Sequence, residues 1–567
     1  MPMKLKFSEF PYERPSIDAF KAELTGLLGE LNAAATPLEA FAVYKKYDRA
    51  TLLFESMGAI AYVRNTMDTS DVFYDAEKQY FDESGPVANE YVQNFSKALI
   101  ESPFRPDLEK AFGKLMFVNT EIDQKTFSPE IINDLQEENK LTTEYDKLLA
   151  SAQIPFRGGV YTLAQMGPFY EDPDRATRRE ARGASVGWMS AQAGEFDRIF
   201  DDLVKVRNRV AKKLGYKNFI ELGYYRMRRN CYNEAMVGAF REQVIKYVVP
   251  ISERLKAEQA KRIGVERITV YDDPLMFLTG NAKPQGSSDD IFAHGKKMYT
   301  ELSPETAEFF DFMLEHGLFD VLTRKSKSGG GYCTTIESQK SPFIFANFNG
   351  TSDDVDVLTH EAGHAFAYYR IRDLYPTALH EYTSETAEVH SMSMEFFTWP
   401  WMEGFFGEQT GKYRYSHLSG ALTFLPYGAM VDEFQHHIYA NSEWTPAQRN
   451  ECWKNLEGIY RPYLDNDFDF FREGRRWQLQ MHIYEIPFYY IDYCLAQTMA
   501  LVFWAESQKN FKGAWDKYLQ FVGFGGTKVF TELTEGAGLP SPFGEGCLDK
   551  VASAATDWLD KNGGNLN

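Results

Sequence analysis

Residues 354–370 read DVDVLTHEAGHAFAYYR, and the five residues His360-Glu361-Ala362-Gly363-His364 inside that stretch decide how the rest of the chain is read. Val355, Leu358, Ala362, Ala365 and Phe366 recur three and four apart, the period of an α-helix with one apolar face. On such a helix His360 and His364 stand one turn apart on the same side. Two imidazole nitrogens can then reach one cation at about 2.0–2.1 Å. Glu361 falls about 100° further round the helix. From there its carboxylate reaches the water that a cation activates, without binding the cation itself. Two histidines among alanines and aromatics are costly to bury without a partner. The pattern points to a hydrolytic metal site with Glu361 as general base.

A hydrolytic zinc site keeps three protein ligands and one open position. A glycine and a third histidine just downstream are absent, because those positions are Ala367 and Arg370, which removes the metzincin reading. The remaining source is a carboxylate on a second helix. Residues 380–397, HEYTSETAEVHSMSMEFF, carry Glu381, Glu385 and Glu388 four and three apart on one face, with Glu395 seven further on. Spacing alone does not choose among the first three.

Taken together, these strings resemble the thimet oligopeptidase family of zinc metallopeptidases, and most of all its oligoendopeptidase F and Pz-peptidase branch. That family has the same histidine–glutamate motif and a ligand glutamate about 25 residues after the second histidine. Here Glu388 lies 24 residues after His364, in the context Glu388-Val389-His390-Ser391, and Glu395 matches the family's second acid. The resemblance selects Glu388 as the third Zn2+ ligand beside His360 and His364, with Glu385 as the alternative. It spans roughly the last 360 residues. The first 150 carry no motif specific enough to add to it.

Amide hydrolysis through a tetrahedral intermediate needs donors for the developing oxyanion. Residues 481–493, MHIYEIPFYYIDY, offer His482, Tyr489, Tyr490 and Tyr493. His482 is expected in a loop and Pro487 in the first turn of a helix. Tyr489 and Tyr490 each stand one turn from Tyr493, and a phenol donates a hydrogen bond without competing for the metal. The resemblance implies a substrate-contacting histidine and tyrosines in an equivalent segment. This chain is shorter between the histidine and the tyrosines than thimet oligopeptidase. The choice between Tyr489 and Tyr490 therefore stays open.

Working outward, helical periodicity dominates: Phe20–Leu31, Leu38–Ala61, Asp75–Ile100, Pro106–Phe117 and Arg175–Leu214 all place apolar residues three and four apart. The stretch from Val265 to Asp290 is turn-rich, and Lys325–Gly350 is non-helical. Within the latter, Gly329–Gly331 form a flap or surface loop, and Phe343–Phe348 is a strand of large apolar residues. As an edge strand it would hold an extended peptide by its main chain. The apolar run Ile486–Ala505 contains Asp492 and Gln497 and reads as a buried helix, not a bilayer span.

The fold class is mainly α with a small β-sheet near the zinc helix. The resemblance implies a large helical ellipsoid with a deep substrate channel that admits short unstructured peptides. Residues 1–200 are expected to form a helical N-terminal region, and residues 201–567 the catalytic zinc peptidase domain. Across the 567 residues, 61 basic and 81 acidic side chains leave a net charge of −20, which argues against a nucleic-acid partner. The five scattered cysteines form no C-x-x-C pair, and the start of the chain has no apolar run. These features point to a cytoplasmic protein without membrane association. The activity expected is that of a zinc endopeptidase acting on short peptides. A zinc carboxypeptidase on a similar scaffold and a non-catalytic metal-binding peptide receptor are the alternatives. The sequence is silent on oligomeric state.

Overall fold

The structure is a computed structural model that describes residues 5–564 and 566; the opening residues 1–4, part of the stretch searched for a leader, lie outside it. Most of the described chain is helical, with five short strands: β1 (Ile154–Phe156), β2 (Gly159–Tyr161), β3 (Phe319–Leu322), β4 (Tyr332–Ile336) and β5 (Ser341–Phe348). The mainly α reading with a small sheet holds. The chain divides into two compact units, each assembled from three separate segments.

The first unit comprises residues 1–125, 283–407 and 506–539. Its opening helices, Ile17–Ala33, Pro37–Met67 and Val72–Glu101, match the periodic runs in the sequence. Ser16, Thr36 and Asp71 cap their N-termini by accepting backbone N–H bonds that would otherwise go unmet. They bury one apolar stripe each, among them Phe20, Leu24, Leu27, Tyr47, Phe95 and Leu99. The expected helix over Pro106–Phe117 is instead two, Arg105–Phe112 and Lys114–Gln124, broken at Gly113.

The sheet of this unit runs β3-β5-β4, with β5 parallel to β3 and antiparallel to β4. The edge-strand expectation for Phe343–Phe348 is therefore wrong: β5 is the central strand, and nearly every side chain along it is buried. A strand covered on both faces and paired on both sides carries a continuous apolar run, not an alternating one. The loop before β4 is tethered. Lys327, whose side chain is fully buried, donates to the carbonyls of Leu322 (3.1 Å) and Ala346 (2.5 Å) and pairs with Asp320. Asn347 Nδ2 donates to the carbonyls of Ser328 and Gly330.

The second unit comprises residues 126–282, 408–505 and 540–567. It is organised on two long helices, Arg175–Lys213 and Thr410–Ala440, with the β1-β2 hairpin at one side. The apolar run near residue 490 is the helix Tyr490–Ser507, and most of its residues are buried. Among the described residues no helix is long and apolar enough to cross a membrane.

Candidate metal centre

Two helices of the first unit build the centre: Asp353–Ile371, here the metal helix, and Ser384–Phe397, the carboxylate helix. Three aspartates in the first turn of the metal helix favour its positive end. Asp354 also accepts from the N–H groups of Asn349 and Gly350, both at 2.8 Å, fixing the entry from β5. Val355, Leu358, Ala362, Ala365 and Phe366 are all buried, so the expected apolar face is the one that packs. Phe366 lies 5.5 Å from Phe309 and 6.2 Å from Trp515, ring to ring.

That face sets the azimuth of the histidines, and the helix crossing sets which carboxylate of the second helix meets them. A Cβ at Gly363 would lie 2.6 Å from Ser391 Cα and 2.7 Å from the His390 carbonyl oxygen. Only glycine lets the backbones approach that closely, and the approach carries Glu388 to the histidines. His360 Nε2 stands 3.3 Å from Glu388 Oε2, and His364 Nε2 stands 3.6 Å from the same oxygen. Potential ligand atoms of His360, His364 and Glu388 all lie within 4.8 Å of one another. Two donors each about 2.0–2.1 Å from a tetrahedral ion are about 3.4 Å apart. The spacing thus fits a zinc-sized cation.

The surroundings prepare the same three groups. His360 Nδ1 bonds to Glu395 Oε1 at 2.6 Å, which fixes the ring with Nε2 turned toward Glu388. Ser391 Oγ donates to Glu388 Oε2 at 3.0 Å and steadies that carboxylate. Burial lowers the affinity of His360 for a proton, but its bonds to Glu388 and Glu395 more than reverse this, and its pKa is raised well above the ordinary value. His364 goes the other way: burial, against the pull of Glu388, holds it at about 4. Glu361 is pushed up to about 7 by burial, with Glu388 and Glu395 adding to the rise and His360 opposing it. A dication beside it would pull that value back down. Glu385, the alternative ligand, is fully buried on the same helix and accepts from Thr383 Oγ1 at 2.5 Å.

His482 and the three tyrosines belong to the second unit. His482 sits on a helical turn, Met481–Glu485, not in a loop, and Pro487 precedes the helix Tyr490–Ser507 instead of opening it. The reason is Phe488, whose φ of 69° breaks the helical path between the two. The rings of Tyr489, Tyr490 and Tyr493 surround His482 at centroid distances of 5.7, 5.0 and 5.7 Å. Gln480 Nε2 bonds to His482 Nδ1 at 2.9 Å. Burial raises the Tyr490 hydroxyl well above its ordinary pKa, so it stays a neutral donor.

Residues 7–127 match the Peptidase M3 N-terminal domain and residues 298–553 match Peptidase family M3. A solved structure of Pz peptidase A with an inhibitor is 49% identical, with TM-score 0.95 over 98% of this chain and 99% of that one. The chain belongs to peptidase family M3. Oligopeptidase PepF of Bacillus subtilis is 22% identical to this M3 peptidase over 94% of its length and 81% of PepF's. Oligoendopeptidase-F from Enterococcus faecium, 15% identical, shares the fold with TM-score 0.65 over 96% of this chain and 97% of its own. The family resemblance read from residues 354–397 is thereby established, and with it the peptidase class.

Sequence reasoning gave no role to Gly363 and no bonding partner to Glu395. A glycine between two ligand positions of a helix is a visible signal for a close helix crossing. The partner of Glu395 lies 35 residues away and leaves no local trace.

Proposed function

We propose that this M3 peptidase is a zinc-dependent endopeptidase that hydrolyses internal bonds of short, unstructured peptides. The observation that carries the proposal is the convergence of His360 Nε2, His364 Nε2 and Glu388 Oε2 with Glu361 beside them on the same helix. When bound, a zinc ion would supply Lewis acidity to the scissile carbonyl and to the attacking water. His360, His364 and Glu388 would hold it. Glu361 takes the proton of the attacking water and later delivers it to the leaving amine. His482 and Tyr493, with Tyr489 or Tyr490, are proposed to donate to the oxyanion. All these residues fall within 201–567, the stretch proposed as catalytic.

The proposed seat for substrate is the outer edge of β4. Among the described residues no strand pairs there, whereas β5 is paired on both sides. A Cβ at Gly331, where the chain enters β4, would lie 3.8 Å from Glu361 Oε1. A peptide added along that edge would pass beside the general base, bound by its main chain with little demand on its sequence. The five cysteines are scattered along the chain with no C-x-x-C pair, which supports a reducing, cytoplasmic setting.

A quenched fluorescent peptide blocked at both ends tests the proposal. Internal cleavage that stops with a chelator and returns with Zn2+ is the expected result. A chain that ignores the blocked peptide but trims a free C-terminus would be the carboxypeptidase instead. One that binds peptide and metal without cleaving either would be the receptor.

A further inference from the structure

Phe488 is a large aromatic residue at φ 69°, a backbone region such side chains rarely occupy. Strain of this kind persists only where the surroundings over-determine it, and it gathers at functional sites. Here the surroundings can be named, and all lie in the second unit. The Phe488 N–H donates to Gln435 Oε1 at 2.9 Å. Its carbonyl accepts from Arg229 Nη2, which also donates to Asp492 Oδ1 at 3.0 Å. Tyr232 donates to the same Asp492 oxygen at 3.0 Å. The side chains of Arg229 and Asp492 have no solvent exposure.

The ring of Phe488 is held as firmly as its backbone. It packs between His436 (4.9 Å), Tyr224 (5.6 Å) and Tyr439 (5.6 Å). A Cβ at Gly223 would lie 2.5 Å from its Cδ2, so glycine there makes room for the ring. The guanidinium of Arg229 lies 4.2 Å from the centre of the Tyr224 ring.

A buried ion pair of this sort contributes little net stability, because desolvation offsets most of the attraction. Its use is geometric. Arg229 grips residues 488 and 492, which bracket Tyr489 and Tyr490 and adjoin Tyr493. Both bonds leave one nitrogen, Nη2, so a single NH2 group at the far end of the side chain ties the Phe488 carbonyl to the Asp492 carboxylate. At the other end Arg207, equally buried, donates to the Ile483 carbonyl at 3.3 Å and holds the turn that carries His482.

We propose that Arg229 and Gln435 are positioning residues: by locking Phe488 in its left-handed conformation, they aim Tyr489, Tyr490 and Tyr493 for catalysis. The proposal rests on the reading of those tyrosines as oxyanion donors. Arg229→Lys keeps a positive charge near Asp492 but ends one bond short of the Nη2 position that reaches the Phe488 carbonyl; Gln435→Met keeps the volume but offers no acceptor to the Phe488 N–H. Each is expected to lower kcat on the doubly blocked peptide at least about tenfold, with KM within about twofold and zinc content unchanged. In a background carrying Tyr489→Phe, Tyr490→Phe and Tyr493→Phe, the same changes should lower kcat less than about twofold, because they act through hydroxyls no longer present. Equal losses in both backgrounds, or losses in KM or zinc instead of kcat, overturn the positioning proposal. If the triple variant itself keeps native kcat, the tyrosine reading has failed on its own account. Should Arg229→Lys not fold, Gln435→Met carries the test alone.

Discussion

Glu361 and its neighbours show how much a single carboxyl owes to its setting. Two further carboxylates, Glu388 and Glu395, sit close enough to raise its pKa, and burial raises it more. Glu361→Gln keeps the shape and removes the base. It should retain zinc by metal analysis and lose about 10²- to 10⁴-fold in kcat; near-native turnover would exclude a proton-transfer role. Glu388→Ala should abolish zinc binding, whereas Glu385→Ala should keep the metal and cost stability through its buried site. Glu395→Gln should weaken zinc about 10- to 100-fold by equilibrium dialysis, through its bond to His360. The helical period made His360, Glu361 and His364 legible, because their relation is local. The period did not separate Glu388 from Glu381 and Glu385, because that depends on where a second helix crosses the first; the family resemblance, not the spacing, selected Glu388.

At the level of elements, that crossing is the feature to test. Alanine is a better helix former than glycine by about 1 kcal/mol, so Gly363→Ala would stabilise an isolated helix. Here its Cβ would meet Ser391 and His390 backbone below 3 Å, and forced overpacking costs about 1–3 kcal/mol. The second effect wins. The expected outcome is a lower Tm together with zinc affinity reduced at least tenfold, as Glu388 is pushed from the histidines. A raised Tm with native zinc affinity would show that the helices part without consequence. The sheet offers the opposite lesson on legibility. Phe343–Phe348 carried its own signal in the lack of alternation, and a run buried on both faces belongs inside a sheet. By contrast, the turn at Met481–Glu485 was hidden, because the break at Phe488 is enforced by Arg229 and Gln435, 259 and 53 residues away.

Across the whole molecule, ionic networks give each unit its own sensitivity to solvent. In the second unit, burial alone would raise Asp273, but Lys256 (2.7 Å) and Arg461 (3.3 Å) hold it at about 2. Its folded pKa is below the unfolded value of about 4, so its contribution is complete above pH 4 and is lost as pH falls toward 2. With about a quarter of the side chain exposed, the contribution is on the order of 2 kcal/mol at most. Asp273→Asn should therefore flatten the decline of Tm between pH 4 and pH 2; an unchanged slope would assign that decline to other carboxylates. Helix content and the metal motif were readable throughout. The assembly of each unit from three segments was not, because periodicity says nothing about which helices meet. That interleaving bears on how the protein is made. Tyr518 donates to the carbonyl of His390 at 2.8 Å across 128 residues, and Trp515 packs on Phe397. During translation the helices bearing His360, His364 and Glu388 leave the ribosome well before Trp515 and Tyr518, so this packing forms only once the 128-residue span from His390 to Tyr518 has been made.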